Sequence, residues 1–218
     1  MITFDQVSKV YPNQYTALDN ISFDIQKGEM VFIAGHSGAG KSTILKLIAG
    51  IIKPTSGRVS INGHNIGALS DDQLGYMRQH IGIVFQDHKI LFDRSALENV
   101  MLPLQIIGYD IKAAKKRALT ALEKVGLGGR ENTDPVTFSG GEQQRLCIAR
   151  AVVHQPSVII ADEPSANLDR AYALDIMELF KSFHKNGATV IISAHDESIM
   201  ADYGHRIIRL QEGRFVTK

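Results

Sequence analysis

Residues 31–43, VFIAGHSGAGKST, decide how the rest of the chain is read. Val31–Ala34 is an apolar run of the length of a buried strand, and Ile44, Leu45, Leu47 and Ile48 follow with helical spacing. Between them, Gly35, His36, Ser37, Gly38, Ala39, Gly40, Lys41 and Ser42 fit G-x-x-x-x-G-K-[ST], with Thr43 after it. A strand before and a helix after are the context that this pattern needs to act as a phosphate-binding loop. The glycines let the backbone wrap closely, so its N–H groups can point at phosphate oxygens. The helix start adds the positive end of its dipole. Lys41 can reach the β- and γ-phosphates, and the Ser42 hydroxyl suits Mg²⁺. The stretch predicts a nucleoside triphosphate site.

The 218 residues suit one domain, or one domain with a sizeable insertion. Lys plus Arg number 24 against 23 Asp plus Glu, a net charge of +1 that supplies no bulk attraction for nucleic acid or an anionic membrane. Cys147 is the single cysteine, which excludes an intrachain disulfide and a cysteine-rich metal site. It is expected as a small buried hydrophobe on a helix. MITFDQVSKVYP alternates apolar with polar residues, unlike a secretory leader. No apolar run is long enough to span a membrane, so the expectation is a cytoplasmic chain whose membrane role comes through a partner.

Residues 2–34 read as an antiparallel opening, with Ile2 and Phe4, then Ile21, Phe23 and Ile25, alternating with polar neighbours. Gly50 and Pro54 mark the end of the helix after the phosphate loop, and Asn62-Gly63 marks a hairpin. Ile81–Phe85 is a strand ending at Gln86. Ser95–Ile107 and Lys112–Val125 carry helical spacing, the second with Ile111, Ala114, Ala118, Leu122 and Val125 on one face. Val158–Ala161, Thr189–Ser193 and Arg206–Leu210 are strands, with helices near 171–184 and 197–203. Apolar runs alternating with amphipathic helices predict an α/β core with a buried parallel sheet. The helices between about 88 and 153 predict an insertion between two of its strands.

Two further stretches carry chemistry. The apolar strand Val158–Ala161 ends in Asp162 and Glu163. After a phosphate loop, the first carboxylate suits Mg²⁺ and the second can take a proton from attacking water. Ser139-Gly140-Gly141-Glu142 reads as a capping box, Ser at the N-cap and Glu three later. A capping box leaves the two glycines unexplained, since each costs a helix roughly 1 kcal/mol against alanine. Glycines there suit a second body, an anion above all, approaching the helix start.

With these residues in hand, the chain resembles the ATP-binding cassette (ABC) ATPase family over essentially its whole length. FSGGEQQR (138–145) is similar to that family's signature motif. Gln86 stands where the family has its Q-loop glutamine, Ser165-Ala166-Asn167-Leu168-Asp169 resembles the D-loop, His195 the switch histidine, and Tyr11 the aromatic stacked on adenine. The fold implied is α/β: a P-loop NTPase core with a mainly parallel sheet, an N-terminal antiparallel β part and a helical insertion. The single domain over 1–218 would divide into a core at about 1–87 and 154–218 and a helical subdomain at about 88–153. Phe138, Glu142 and Ser165-Ala166 depart from the family's commonest residues without removing a phosphate, metal or base group.

The resemblance also implies a mechanism. Two copies would sandwich two ATP molecules as a homodimer, the phosphate loop of one facing Ser139, Gly140, Gly141 and Glu142 of the other. Asp169 of the D-loop would be among the nucleotide-binding residues. Ser42, Gln86 and Asp162 would hold Mg²⁺, Glu163 would act on water, and Lys41 and His195 would contact the phosphates. Phe85–Arg94, FQDHKILFDR, with Asn99-Val100 and Leu102-Pro103-Leu104, looks most like the branch serving bacterial cell division. That branch implies a four-span integral membrane partner, docking near Asp87–Arg94 and the helical subdomain, and a place on the inner face of the cell membrane. ATPases of lipoprotein-release and macrolide-export complexes share the core and stand as alternatives. More distant ones are soluble cassette ATPases. No nucleic-acid partner is expected.

Overall fold

Two sheets organise the molecule. In the first, β1 (Ile2–Val10) pairs antiparallel with both β2 (Thr16–Ile25) and β4 (Ser56–Ile61), and β5 (His64–Asn65) extends the sheet to the order β2-β1-β4-β5. The second is built on β3 (Met30–Ala34), flanked in parallel by β8 (Thr189–Ala194) and β9 (Arg206–Gln211). β7 (Val158–Asp162) and β6 (Ile81–Val84) continue it in parallel on one side, and β10 (Arg214–Phe215) closes the other edge antiparallel. The computed structural model describes residues 1–166, 168–195, 200, 203 and 205–216.

β3 and β8 are buried at every position because both faces of the parallel sheet are covered. Alternation along the strand sends neighbouring side chains into different cores. Met30, Phe32 and Ala34 join Val190 and Ile192 beneath the helices α3 (Ala96–Ile106), α4 (Ile111–Lys124), α5 (Gly140–Val152) and α6 (Arg170–Lys185). Val31 and Ile33 face the opposite core, with α1 (Lys41–Ile48) and the antiparallel sheet.

The helical segment therefore interrupts the chain between two adjacent parallel strands, β6 and β7, as its spacing predicts. Ala114, Ala118, Leu122 and Val125 form the buried face of α4, but Ile111 is 69% exposed because it starts the helix, beyond the packed turns. One helix escapes the reading from periodicity. α2 (Asp71–Arg78) buries only Leu74, and its signal is the Ser70/Gln73 capping box rather than an apolar stripe. The helix expected near 197–203 falls mostly outside the described residues. Among those described, no helix is long and apolar enough to cross a membrane.

Candidate active site

The C-terminal ends of β3, β6, β7 and β8 lie on one side of the sheet, where ligands of open parallel sheets bind. A cavity of about 710 Å³ opens there. Residues 35–38 and 40–43 line it, with Gln86 after β6, Glu163 after β7 and His195 after β8. Residues far apart in sequence are thus assembled around the phosphate loop within one chain.

The start of α1 is left open. Its N-cap is Gly40, at φ 108°, with no side chain accepting from the first turn. The first backbone N–H groups of a helix have no acceptor within the helix, and here they are free for an anion. Gly40 is needed sterically as well, since a Cβ there would lie 2.5 Å from the Ala17 carbonyl oxygen. Gly35 is sealed against β9, with the Leu210 carbonyl oxygen 2.5 Å from where a Cβ would be. The Gly213 N–H donates to the Ala39 carbonyl, 3.1 Å, so the turn between β9 and β10 holds the loop from beneath. Ala39 itself is buried and does not line the cavity.

Lys41 is only 4% exposed. Its ammonium donates to the carbonyls of Gly35 (2.8 Å) and His36 (3.1 Å) and pairs with Glu163 Oε1 at 3.1 Å. His195 Nδ1 stands 3.6 Å from Glu163 Oε2. Glu163 takes φ +48°, a left-handed conformation costly for a side-chain-bearing residue. Ser193 holds it there: the Glu163 N–H donates to the Ser193 carbonyl (3.1 Å) and hydroxyl (2.9 Å). The same hydroxyl donates to Asp162 Oδ1, 2.6 Å. One buried serine therefore holds the Glu163 backbone and the Asp162 carboxylate together.

Gln86 leads into a second constrained segment. His88 and Lys89 both have positive φ, 58° and 50°. Arg150 of α5 donates to their carbonyls at 2.6 and 2.7 Å, and the Cys147 thiol to that of His88 at 3.2 Å. The buried Asn99 amide donates to the carbonyls of Leu91, Arg94 and Ser95, and its oxygen accepts from the Leu91 N–H. Burial pushes the Cys147 thiol up to about 12, the inert small hydrophobe expected of it.

The remaining sequence-predicted residues lie outside the cavity. Ser139 caps α5, accepting from the Glu142 N–H, while the Glu142 carboxylate accepts from the Ser139 N–H (2.9 Å) and pairs with Arg130 (2.7 Å). The hydrogen bond from the Ser139 backbone, with help from Arg130, holds the Glu142 carboxyl below its ordinary range. Gly141 has a local reason for its size: a Cβ would meet the Tyr172 ring at 3.0 Å. Gly140 has none, with nothing within 4 Å of its missing Cβ. Asp169 caps α6 by accepting from the Tyr172 N–H. Asn167 lies outside the described residues. Tyr11 sits beside the cavity, its hydroxyl 3.3 Å from Thr43 Oγ1, while Tyr15 lines it and donates to the Gly38 carbonyl at 2.6 Å. Tyr15, Ser193 and Arg150 escape the sequence reading, and Asn99 enters it only within the Asn99-Val100 pair of the branch resemblance. Only Tyr15, beside Tyr11, carried a sequence signal.

A phosphate loop, an acidic strand end, a glutamine and a histidine thus meet at one cavity, with a serine-capped glycine pair outside it. The profile of the ABC transporter family matches residues 18–166. This chain belongs to that family. Among ABC relatives, it is 45% identical over 98% of its length, and 96% of the relative's, to the cell division ATP-binding protein FtsE of Escherichia coli (strain K12). It is 42% identical to FtsE of Mycobacterium tuberculosis, covering 99% of this chain and 94% of that one. Among solved ABC structures, the dimeric cassette MJ0796 in a post-hydrolysis state bound to ADP and Pi matches with a TM-score of 0.92 at 39% identity, over 100% of this chain and 97% of that one. CbiO1 from Clostridium perfringens, part of the ABC transporter complex cbiONQ, matches with a TM-score of 0.89 at 31% identity, over 99% and 86%. As an ABC cassette the chain is an ATPase.

Proposed function

We propose that this chain is the ATP-hydrolysing subunit of a membrane complex of the FtsE type, dimerising on ATP and moving an FtsX-like integral membrane partner during bacterial cell division. The observation that carries the ATPase half is Glu163, set by Ser193 and facing Lys41 and His195 across the phosphate loop. The cell-division half rests on the similarity to the FtsE proteins.

The nucleotide's phosphates bind the open start of α1, and Tyr11, with Tyr15 next to it, receives the base. The γ-phosphate competes with Glu163 for the Lys41 ammonium. Binding therefore frees the carboxylate of Glu163 to orient water and accept its proton. His195 contacts the γ-phosphate from the far side of the cavity. Ser42, Gln86 and Asp162 offer hydroxyl, amide and carboxylate oxygens, a donor set that fits Mg²⁺. The metal would neutralise developing charge on the phosphates. Asp162 keeps one oxygen for it, because Ser193 engages only Oδ1.

In the dimer, the start of α5 of one copy faces the phosphates held by the other. Ser139 and the exposed Gly140 form the contact, and Asp169 lies at its edge. Release of phosphate removes the anion between the copies and the dimer opens. The membrane partner docks at the loop Asp87–Arg94 and the helical subdomain, about 88–153. An apolar groove of about 270 Å³, joined to this loop through Arg150 and lined by Ile83, Leu102, Pro103 and the 73% exposed Ile106, supports this. Arg150 also lines that groove and grips the carbonyls after Gln86, so it links docking to the nucleotide. The complex would hold this chain on the inner face of the cell membrane.

The test is co-purification from detergent-solubilised membranes of the Glu163→Gln chain held with ATP and Mg²⁺. A four-span partner with a large extracytoplasmic loop is expected. A lipoprotein-release or efflux permease would overturn the division role and keep the ATPase, and recovery of ribosomes or DNA alone would overturn the membrane partner.

A further inference from the structure

A second large concavity, about 810 Å³, lies away from the nucleotide cavity. One wall is a single stripe of α4: Ala113, Lys116, Thr120 and Lys124 recur at three- and four-residue spacing and all line it, with Arg117 beside them. The opposite wall comes from the loop Gln155–Ser157 before β7 and the turn Asn186–Ala188 before β8. The floor is apolar, made by the buried Val152 and Ile159 and the half-buried Phe183. None of the residues lining it is a carboxylate.

The charge on this wall is uncompensated. α4 carries Lys112, Lys115, Lys116, Arg117 and Lys124 against Glu123 alone, a local +4 in a chain whose total is +1. The other residues together therefore sum to −3. Among the described residues, no carboxylate comes within ion-pairing distance of Lys116 or Lys124. Arg117 stacks over the Tyr109 ring at 4.9 Å and presents its charge from a fixed position.

We propose that this groove binds an acidic segment of a protein partner, its carboxylates on Lys116, Arg117 and Lys124 and one or two apolar side chains on the floor. A recessed apolar floor between two walls takes an inserted segment, where a flat bilayer surface would reach only the rim. A bare polyanion would leave the floor uncovered. Because α4 belongs to the helical segment and the facing turn joins α6 to β8, an occupant ties that segment to the parallel sheet. This site is separate from the groove assigned to the membrane partner, and its test does not depend on that assignment.

The experiment is selection of short random peptides displayed on phage against the full chain, followed by fluorescence anisotropy of the synthesised consensus peptide. Enriched sequences should carry several Asp or Glu with spaced Leu, Ile or Phe. Binding should weaken as salt rises from about 0.05 M to about 0.3 M. Lys116→Glu with Lys124→Glu should weaken it by at least about tenfold. Lys112→Glu with Lys115→Glu, an equal charge change on the same helix outside the groove, should change it less than about threefold. Both pairs are surface substitutions, and their basal ATPase should match the wild type. Enriched peptides without carboxylates, or equal loss in both variant pairs, would overturn the proposal. So would enrichment of no peptide together with binding to vesicles of phosphatidylethanolamine and phosphatidylglycerol that Lys116→Glu with Lys124→Glu abolishes.

Discussion

α1 and α5 both begin at glycine-rich turns, and the two starts are built in opposite ways. At α1 the N-cap is Gly40 and no side chain caps the first turn, so its backbone donors stay available. At α5 the Ser139 hydroxyl and the Glu142 carboxylate satisfy one another's backbone, and Arg130 holds the carboxylate. The first start opens into an assembled cavity, whereas the second lies outside it, with Gly140 facing open space. An open helix start is half of a site within one molecule. A capped one with a bare glycine is a surface finished for its own fold and left accessible to another body.

The strongest way to break this contrast is at the cavity. Glu163→Gln is expected to leave ATP binding intact and to slow hydrolysis by roughly 10²–10⁴-fold, the usual worth of a positioned base. Single-turnover kinetics at saturating ATP would show it, and near-wild-type turnover would remove Glu163 from the role. Next in size is Gly40→Ala. It places a Cβ against the Ala17 carbonyl at positive φ, so it should cost about 1–3 kcal/mol. Its Tm should fall by roughly 3–10 °C, with weakened nucleotide binding, by calorimetry with and without ATP.

The same change at the other start should have the opposite sign. Gly140→Ala meets nothing within 4 Å and improves helix propensity, so it should stabilise the isolated chain by up to about 1 kcal/mol while weakening ATP-driven dimerisation. Ser139→Ala, which removes the cap, should cost about 1 kcal/mol. Thermal melts paired with light scattering separate the two effects, and a Gly140→Ala chain that melts early would refute the idea of an unfilled surface.

The smallest effect is in acid. The Glu142 carboxyl is held below its ordinary value in the fold, so the unfolded chain takes up the proton first as pH falls. Its contribution to stability is complete above the ordinary carboxylate pKa of about 4.3 and disappears as pH drops through the lower folded value. Glu142→Gln should therefore flatten part of the loss of Tm between about pH 5 and pH 3.

What the sequence discloses follows the same division. The phosphate loop, the Asp162-Glu163 strand end and the Ser139 cap are legible because each is a local string whose chemistry follows from its own spacing. The parallel sheet is legible in its unbroken apolar runs, and the helical insertion in its periodicity. Ser193 is not legible, since its hydroxyl matters only because the β7–β8 register sets Asp162 beside it. Arg150 reads as an ordinary residue of an amphipathic helix until the fold brings it under His88 and Lys89, and Asn99, quoted only for the branch resemblance, shows its role when its amide meets the carbonyls of Leu91, Arg94 and Ser95. Gly141 packs against the Tyr172 ring of the same chain, a contact that its local string does not disclose.

The phosphate loop is a short contiguous string, yet β9 and β10 complete it: Leu210 closes on Gly35, and Gly213 holds Ala39. A ribosome makes the loop well before the strands that seal it. Until β9 and β10 are made, the nascent chain therefore carries the whole string without the partners of Gly35 and Ala39. Long-range closure of this kind is slow compared with forming α1 alone. ATP thus has no finished pocket to enter until β9 and β10 have been made.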